Sequence, residues 1–223
     1  MYHVTFRGTH REAGLRRGRF LASHGNFILQ NAPFPVTQAR LQFAQQCVPI
    51  YRRFFPAVLQ EIEGLAEGQG CAPQALQAIL FSMYAMPPAS CCSCFAVSNG
   101  AQVFLARNSD FLLALQHWNG NVIYRLDGCC FHFTGNTTAF VEIEDGVNEH
   151  GLAAGLTSVS PGRIQPGLNA GMLLRLMLET CRTVEQALAL ARRVPIASAQ
   201  TLTLADAGGA IAVLECNSSH LEV

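Results

Sequence analysis

The feature that most limits how this chain can fold is a change of texture at residue 92. Ahead of it, apolar residues recur at helical spacing; behind it come short apolar runs punctuated by Asn-Gly, Asp-Gly and Gly-Asn pairs. Helical spacing buries one stripe of a helix, whereas short runs between turn residues bury the faces of strands. A helical leading part, then strands, two helices and strands again, predicts a layered α+β domain. With 223 residues, half of them hydrophobic, the chain can bury a core without disulfide or metal staples.

In the leading part, residues 3–6 alternate like a strand and meet a turn at Gly8. Helix formers then run over residues 9–29, although Gly14, Gly18 and Gly25 lie among them. A glycine inside a helix costs about 1 kcal/mol against alanine, so their presence predicts close packing against another backbone. Pro33 and Pro35 break the chain, and a helix over 39–51 follows, ending near Arg53. Beyond Pro56 a helix places Val58, Ile62 and Leu65 on one face. Pro73 opens the next helix, which the Pro87-Pro88 pair is expected to end.

The second part opens with a hairpin, 92–97 and 102–107 flanking Ser98-Asn99-Gly100-Ala101. Strands are expected over 122–126, 129–133, 139–143 and 152–157, with Asp145-Gly146-Val147-Asn148 as a turn. Helices are predicted over 170–180 and 184–193, with Thr183 capping the second, before strands over 201–205 and 211–215.

Charge excludes several functions. The formal net charge is zero and all 15 basic residues are arginine, so lysine Schiff-base chemistry is ruled out. Arg11 to Arg19 read as a solvated helix face, and no basic surplus suggests nucleic acid. The N-terminus carries no signal-peptide pattern, and no apolar stretch approaches the roughly 18 residues of a membrane span. Nine cysteines without a secretion signal imply reduced thiols in a cytoplasmic protein.

The densest chemistry is Cys91-Cys92-Ser93-Cys94-Phe95-Ala96, answered across the hairpin by Arg107-Asn108-Ser109-Asp110. The returning strand brings Arg107 and Asp110 back toward the cysteine end. A thiol beside an arginine is favoured as thiolate, the reactive form. His117 and His132 are candidate bases, while His150 sits in a turn. The chain itself offers another base: a cut ahead of Cys92 would free an α-amino group with a pKa near about 7.7–8.0. The plain alternative is that an apolar-flanked cysteine is core packing. Cys92 and Cys94 share a strand face, but a metal needs more ligands, and adjacent Cys129 and Cys130 point opposite ways on a strand. No metal and no cofactor are expected. Phe95, Phe111 and Trp118 are either an acyl pocket or core.

Cys92-Ser93-Cys94-Phe95-Ala96, Ala106-Arg107-Asn108-Ser109-Asp110-Phe111 and Gly146-Val147-Asn148-Glu149-His150-Gly151-Leu152 resemble the linear-amide C–N hydrolases. These include isopenicillin N acyltransferase and the choloylglycine (bile salt and penicillin V) hydrolases. Gly8 to Gly18 and Glu61 to Gly68 resemble the acyltransferase's helical pro-segment, and the likeness continues through Gly171 to Glu215. The resemblance implies an αββα N-terminal-nucleophile sandwich: residues 1–91 a pro-segment of zymogen type, 92–223 the catalytic unit, with self-cleavage between Cys91 and Cys92. Cys92 would be nucleophile, its freed amine the base, Arg107 an active-site arginine, and Asp110 the holder of the new amino group. Thr157 falls near an oxyanion-hole asparagine of the bile salt hydrolases, and Asn148 is carried as a second oxyanion or substrate residue. Cys91 stands where glycine is common before the nucleophile. The relatives continue past the strand at 211–215 and supply an Asn and often an Arg, so a C-terminally truncated form is expected.

The resulting expectation is a cytoplasmic amidohydrolase or acyltransferase for a small-molecule N-acyl amide, assembling as a homo-oligomer and binding neither nucleic acid nor membrane. Two rivals stand beside it: an inactive truncated relative that acts by binding or oligomerising, and a thiol metal site at Cys91, Cys92 and Cys94.

Overall fold

The computed structural model describes residues 2–85, 91–110, 118–128, 130–157, 159–160 and 162–223. Phe111, His117, Cys129 and the Pro87-Pro88 pair lie outside them.

The chain enters as strand β1 (Tyr2–Gly8) and continues through helices α1 (His10–Ser23), α2 (Ile28–Asn31), α3 (Gln38–Phe54), α4 (Pro56–Gln69) and α5 (Pro73–Ser82). Strands β2 (Cys91–Ser98) and β3 (Val103–Asp110) form the expected hairpin. Then come β4 (Gly120–Leu126), β5 (Phe133–Thr137), β6 (Asp145–Asn148), β7 (Ala153–Thr157), α6 (Ala170–Thr180), α7 (Val184–Ala191), β8 (Gln200–Ala205), β9 (Ile211–Cys216) and β10 (Leu221–Glu222).

Eight strands make one sheet in the order β1-β4-β5-β6-β7-β8-β9-β10, parallel only where β1 joins β4. The β2–β3 hairpin is a second sheet stacked over β7 and β8. A two-stranded sheet is marginal alone in water, so it depends on that stacking. Gly155 lets it approach: a Cβ there would meet Cys94 Sγ at 2.7 Å. Helix α6 packs against β6, β7 and β8. Alternation places it on the other face, since Gly146 faces Leu178 of α6 while its neighbour Asp145 faces the hairpin. Helix, sheet and sheet therefore follow one another, as the α+β expectation requires. The hairpin's outer face carries Phe95, 61% exposed, and Phe104, 54% exposed.

The glycine signal is explained by α1 lying on α4. A Cβ on Gly14 would run into the Glu61 carbonyl, and one on Gly64 into the Arg11 carbonyl; Gly18 and Gly68 face each other in the same contact. Gly25 has a different role, at φ +73° past the end of α1 with open space around it. The arginine run is not uniformly solvated. Arg11 pairs with Glu67 at the surface, but Arg17 is fully buried and donates to Tyr124 Oη (2.9 Å) and Tyr2 Oη (2.8 Å). Tyr124 in turn donates to Glu61. Glu61 and Glu179 hold Arg175 on three sides of one guanidinium.

Three expected boundaries move. Residues 139–143 form a turn, with Phe140 at φ +60°, rather than a strand. The expected turn at 145–148 is strand β6, and the strand expected at 129–133 begins only at Phe133. Apolarity over 139–143 reflects burial of a loop, Val141 and Ile143 being fully enclosed, so hydrophobicity there signals depth and not pairing. Helix α5 ends at Ser82, ahead of the prolines.

Glu142 is fully buried and neither of its oxygens has a hydrogen-bond partner among the described residues. Burial pushes its carboxyl well above the usual carboxylate range; nearby Asn169 works against the rise and Glu144 adds to it. The folded chain therefore holds a proton there that the unfolded chain releases above its ordinary pKa. That contribution is complete below the unfolded value and is lost as pH rises toward the folded one. Glu142→Gln removes the linkage. Between pH 5 and 8, denaturant titrations should show wild type losing stability relative to Glu142→Gln by up to about 1.4 kcal/mol per pH unit. Parallel pH profiles for the two proteins would refute it.

Candidate active site

The hairpin's inner face is set by its register. Cys92 lies opposite Ser109 and Cys94 opposite Arg107, so these four side chains turn toward the large sheet. Arg107 reaches along that face and its Nη2 donates to Cys92 Sγ at 2.9 Å. The side chain is only 3% exposed, so this guanidinium is withdrawn from water.

Its other contacts fix its orientation. Nε donates to the Leu156 carbonyl at 2.6 Å, and Nη1 lies 3.3 Å from both Glu144 Oε2 and Asp145 Oδ2. Burial opposes the charge, yet Glu144, Cys92 and Asp145 together raise the arginine's pKa above its ordinary value. The carboxylates are themselves anchored. Tyr84 Oη (3.0 Å) and the Thr138 amide (3.0 Å) donate to Glu144 Oε1, and Ser109 Oγ donates weakly to Oε2. Asn136 Nδ2 donates to Asp145 Oδ1 at 2.6 Å. Burial lifts the Asp145 carboxyl above the usual range, although Asn136 and Arg107 work against the rise.

The structure thus brings Arg107 to Cys92 and treats the remaining predicted residues differently. Asp110 is across the register from Cys91, beside the 91–92 link, but its carboxylate lies on the hairpin's outer face and accepts from Asn108 Nδ2 at 2.7 Å. Strand alternation explains this: 107 faces in, so 108 and 110 face out. Thr157 ends β7 on the face toward the hairpin, next to the Leu156 carbonyl that anchors Arg107. Asn148 is not brought to the thiol. Its amide donates to the Leu178 and Cys181 carbonyls, and its oxygen accepts from the His150 and Leu152 amides, so it clamps the β6–β7 turn to α6.

Among the described residues no histidine hydrogen-bonds to Cys92; His132 is exposed and pairs with Glu149. Phe95 faces outward and Trp118 is buried edge-on to Phe140, so neither lies on the hairpin's inner face beside Cys92. Sequence reasoning missed Glu144, Asp145 and Tyr84. The available signal was three acids within Glu142-Ile143-Glu144-Asp145 amid apolar residues, a pattern that predicts a buried cation nearby.

Known proteins resemble this chain in part. Residues 97–223 match the family model described as acyl-coenzyme A:6-aminopenicillanic acid acyl-transferase. Cys92 and the helical leading part precede that span. No curated protein matches. Among solved structures, penicillin V acylase from Agrobacterium tumefaciens is 20% identical with a TM-score of 0.37, over 57% of this chain and 37% of that one. A variant of conjugated bile acid hydrolase from Clostridium perfringens is 19% identical with a TM-score of 0.30, over 41% of this chain and 34% of that one. The matched part is thus little more than a third of either solved relative.

Arg107→Gln should slow alkylation of Cys92 by iodoacetamide about tenfold at neutral pH, the order expected from losing one charge-assisted hydrogen bond. Peptide mapping reads residues 92 and 94 separately, and Cys94 should change little. Equal slowing at both thiols, or none at Cys92, would remove Arg107 from the site.

Proposed function

The chain belongs to the acyl-coenzyme A:6-aminopenicillanic acid acyl-transferase family, and on that premise we propose that it is a cysteine N-terminal-nucleophile enzyme that cuts or exchanges linear amide bonds of N-acyl substrates. The observation that carries this reading is the buried guanidinium of Arg107 held against Cys92 Sγ.

Maturation comes first in this reading. The Cys92 thiol attacks the Cys91 carbonyl; as the C–N bond breaks, the Cys92 nitrogen takes up the thiol proton and is freed as an α-amine, leaving Cys91 on the sulfur as a thioester. Water then hydrolyses that thioester, releasing the Cys91 carboxylate and restoring the thiol. That amine accepts the thiol proton in each later turnover. The thiolate adds to the substrate's amide carbon, the leaving amine departs with a proton, and an acyl thioester remains. Water completes hydrolysis, whereas a second amine completes acyl transfer. Arg107 supports the sulfur's negative charge, and Asp110, across the register from Cys91, would receive the ammonium form by turning from Asn108, which it accepts from in the uncut chain. Thr157, through its hydroxyl or its backbone, is the candidate oxyanion donor.

Residues 1–91 act as the pro-segment and 92–223 as the catalytic unit. Because β1 pairs along β4, cleavage would leave two pieces sharing one sheet. Tyr84, close ahead of the proposed cut, is hydrogen-bonded to the carboxylate that steadies Arg107. A second reading, a non-catalytic relative that binds or oligomerises, is favoured by the exposed Phe95, Val97 and Phe104.

Intact mass spectrometry separates the two. The 24.2 kDa chain should resolve into fragments 1–91 and 92–223 on incubation, while Cys92→Ala stays whole. An uncut wild-type chain, or cleavage unaffected by Cys92→Ala, would overturn the enzymatic reading.

A further inference from the structure

On the α6 face of the large sheet, opposite the thiol's hairpin, three side chains of metal-ligating type converge from distant parts of the chain. His10 comes from the first turn of α1, Cys130 from the loop before β5, and Glu179 from the last turn of α6. Their ligand atoms all lie within 4.8 Å of one another. No local spacing links positions 10, 130 and 179, so no sequence motif announces the set.

We propose that His10 Nε2, Cys130 Sγ and Glu179 Oε2 bind a divalent ion of the zinc class, clasping the leading segment to α6. A thiolate, an imidazole and a carboxylate are the donors such an ion accepts, with the fourth tetrahedral position left to water. Metal–nitrogen and metal–oxygen bonds of about 2.0–2.1 Å set a tetrahedral edge near roughly 3.4 Å. His10 Nε2 and Glu179 Oε2 stand 3.1 Å apart in a hydrogen bond, whose proton the ion would displace. Both are buried, so little side-chain freedom remains to be lost on binding.

The surroundings suit the chemistry. Arg175 Nε donates to Glu179 Oε1 at 2.9 Å, which orients the carboxylate and leaves Oε2 for the ion. The Phe131 amide donates to the Glu179 carbonyl, tying the cysteine's loop to the same helix end. Cys130 makes only long contacts to the Leu126 and Asp127 carbonyls, 3.9 and 3.8 Å, so no strong bond must break to turn the sulfur inward. Without a cation, burial and then Glu179 push that thiol up to about 11. A dication replaces the thiol proton and is held by the Cys130 thiolate together with Glu179, a carboxylate it shares with Arg175. Cys130 is half-buried, which gives the ion a route in.

Cobalt(II) added to the chelator-treated full chain reads the site directly, through sulfur-to-cobalt charge-transfer absorption and titration calorimetry. One equivalent should bind with that absorption. Cys130→Ser should abolish the band, and affinity should fall more than about tenfold in Cys130→Ser and in His10→Ala. Cys92→Ala should bind as wild type does, so failure of the catalytic reading would leave this result unchanged. Absence of the band, its persistence in Cys130→Ser, or its loss in Cys92→Ala would each overturn the site; the last two would assign cobalt to other thiols. Cys130→Ser alters one half-buried atom, so its circular dichroism and melting without metal should match wild type, which separates loss of binding from loss of fold.

Discussion

A charged guanidinium with almost no access to water must be neutralised where it sits, and Arg107 sets that condition for the whole site. Taking such a charge out of water costs several kcal/mol unless partners repay it. Glu144 and Asp145 repay it, and they need donors of their own from Thr138, Asn136, Ser109 and Tyr84. The consequence is a chain of fixed groups running from the leading helices to the sulfur of Cys92. The geometry at the thiol is therefore a property of both halves of the chain.

The same logic recurs on the helix side of the large sheet. Arg175 and Arg17 are fully buried, and Glu61, Glu179, Tyr124 and Tyr2 answer them from β1, α4, β4 and α6. Removing one member of such a network leaves an unpaired charge in a low-dielectric interior, which costs more than the pair itself contributes. The glycine contact of α1 with α4 brings those elements near enough for the network to close. Packing and charge thus fix one arrangement of the leading segment against the sheet.

Much of this was legible in the sequence because it is local. The Asn-Gly hairpin, helix α6 and the Thr183 cap follow from nearest-neighbour chemistry, and the hairpin alone brings Arg107 back toward Cys92. The glycines of α1 announced close packing without naming the partner helix. What could not be read is non-local or depends on parity. Glu144 reaches Arg107 only because β6 lies beneath the hairpin, and nothing near residue 144 encodes that. Asp110 and Arg107 are three residues apart, an odd step on a strand, so they face opposite ways; alternation was available to reveal this. Asn148 was placed by family likeness, yet its hydrogen bonds make it a turn clamp. Arg17 illustrates the converse error, since a run of arginines looks solvated until one of them meets two tyrosines indoors.

In the proposed mechanism, substrate acyl groups pass through the sulfur of residue 92. Acid quenching of the matured chain during turnover of an N-acyl amide, followed by peptide mass spectrometry, examines that sulfur directly. An acyl adduct, labile to hydroxylamine, is expected on the peptide that begins at Cys92. Substrate consumed with no adduct there, at a rate that Cys92→Ala leaves untouched, would contradict it.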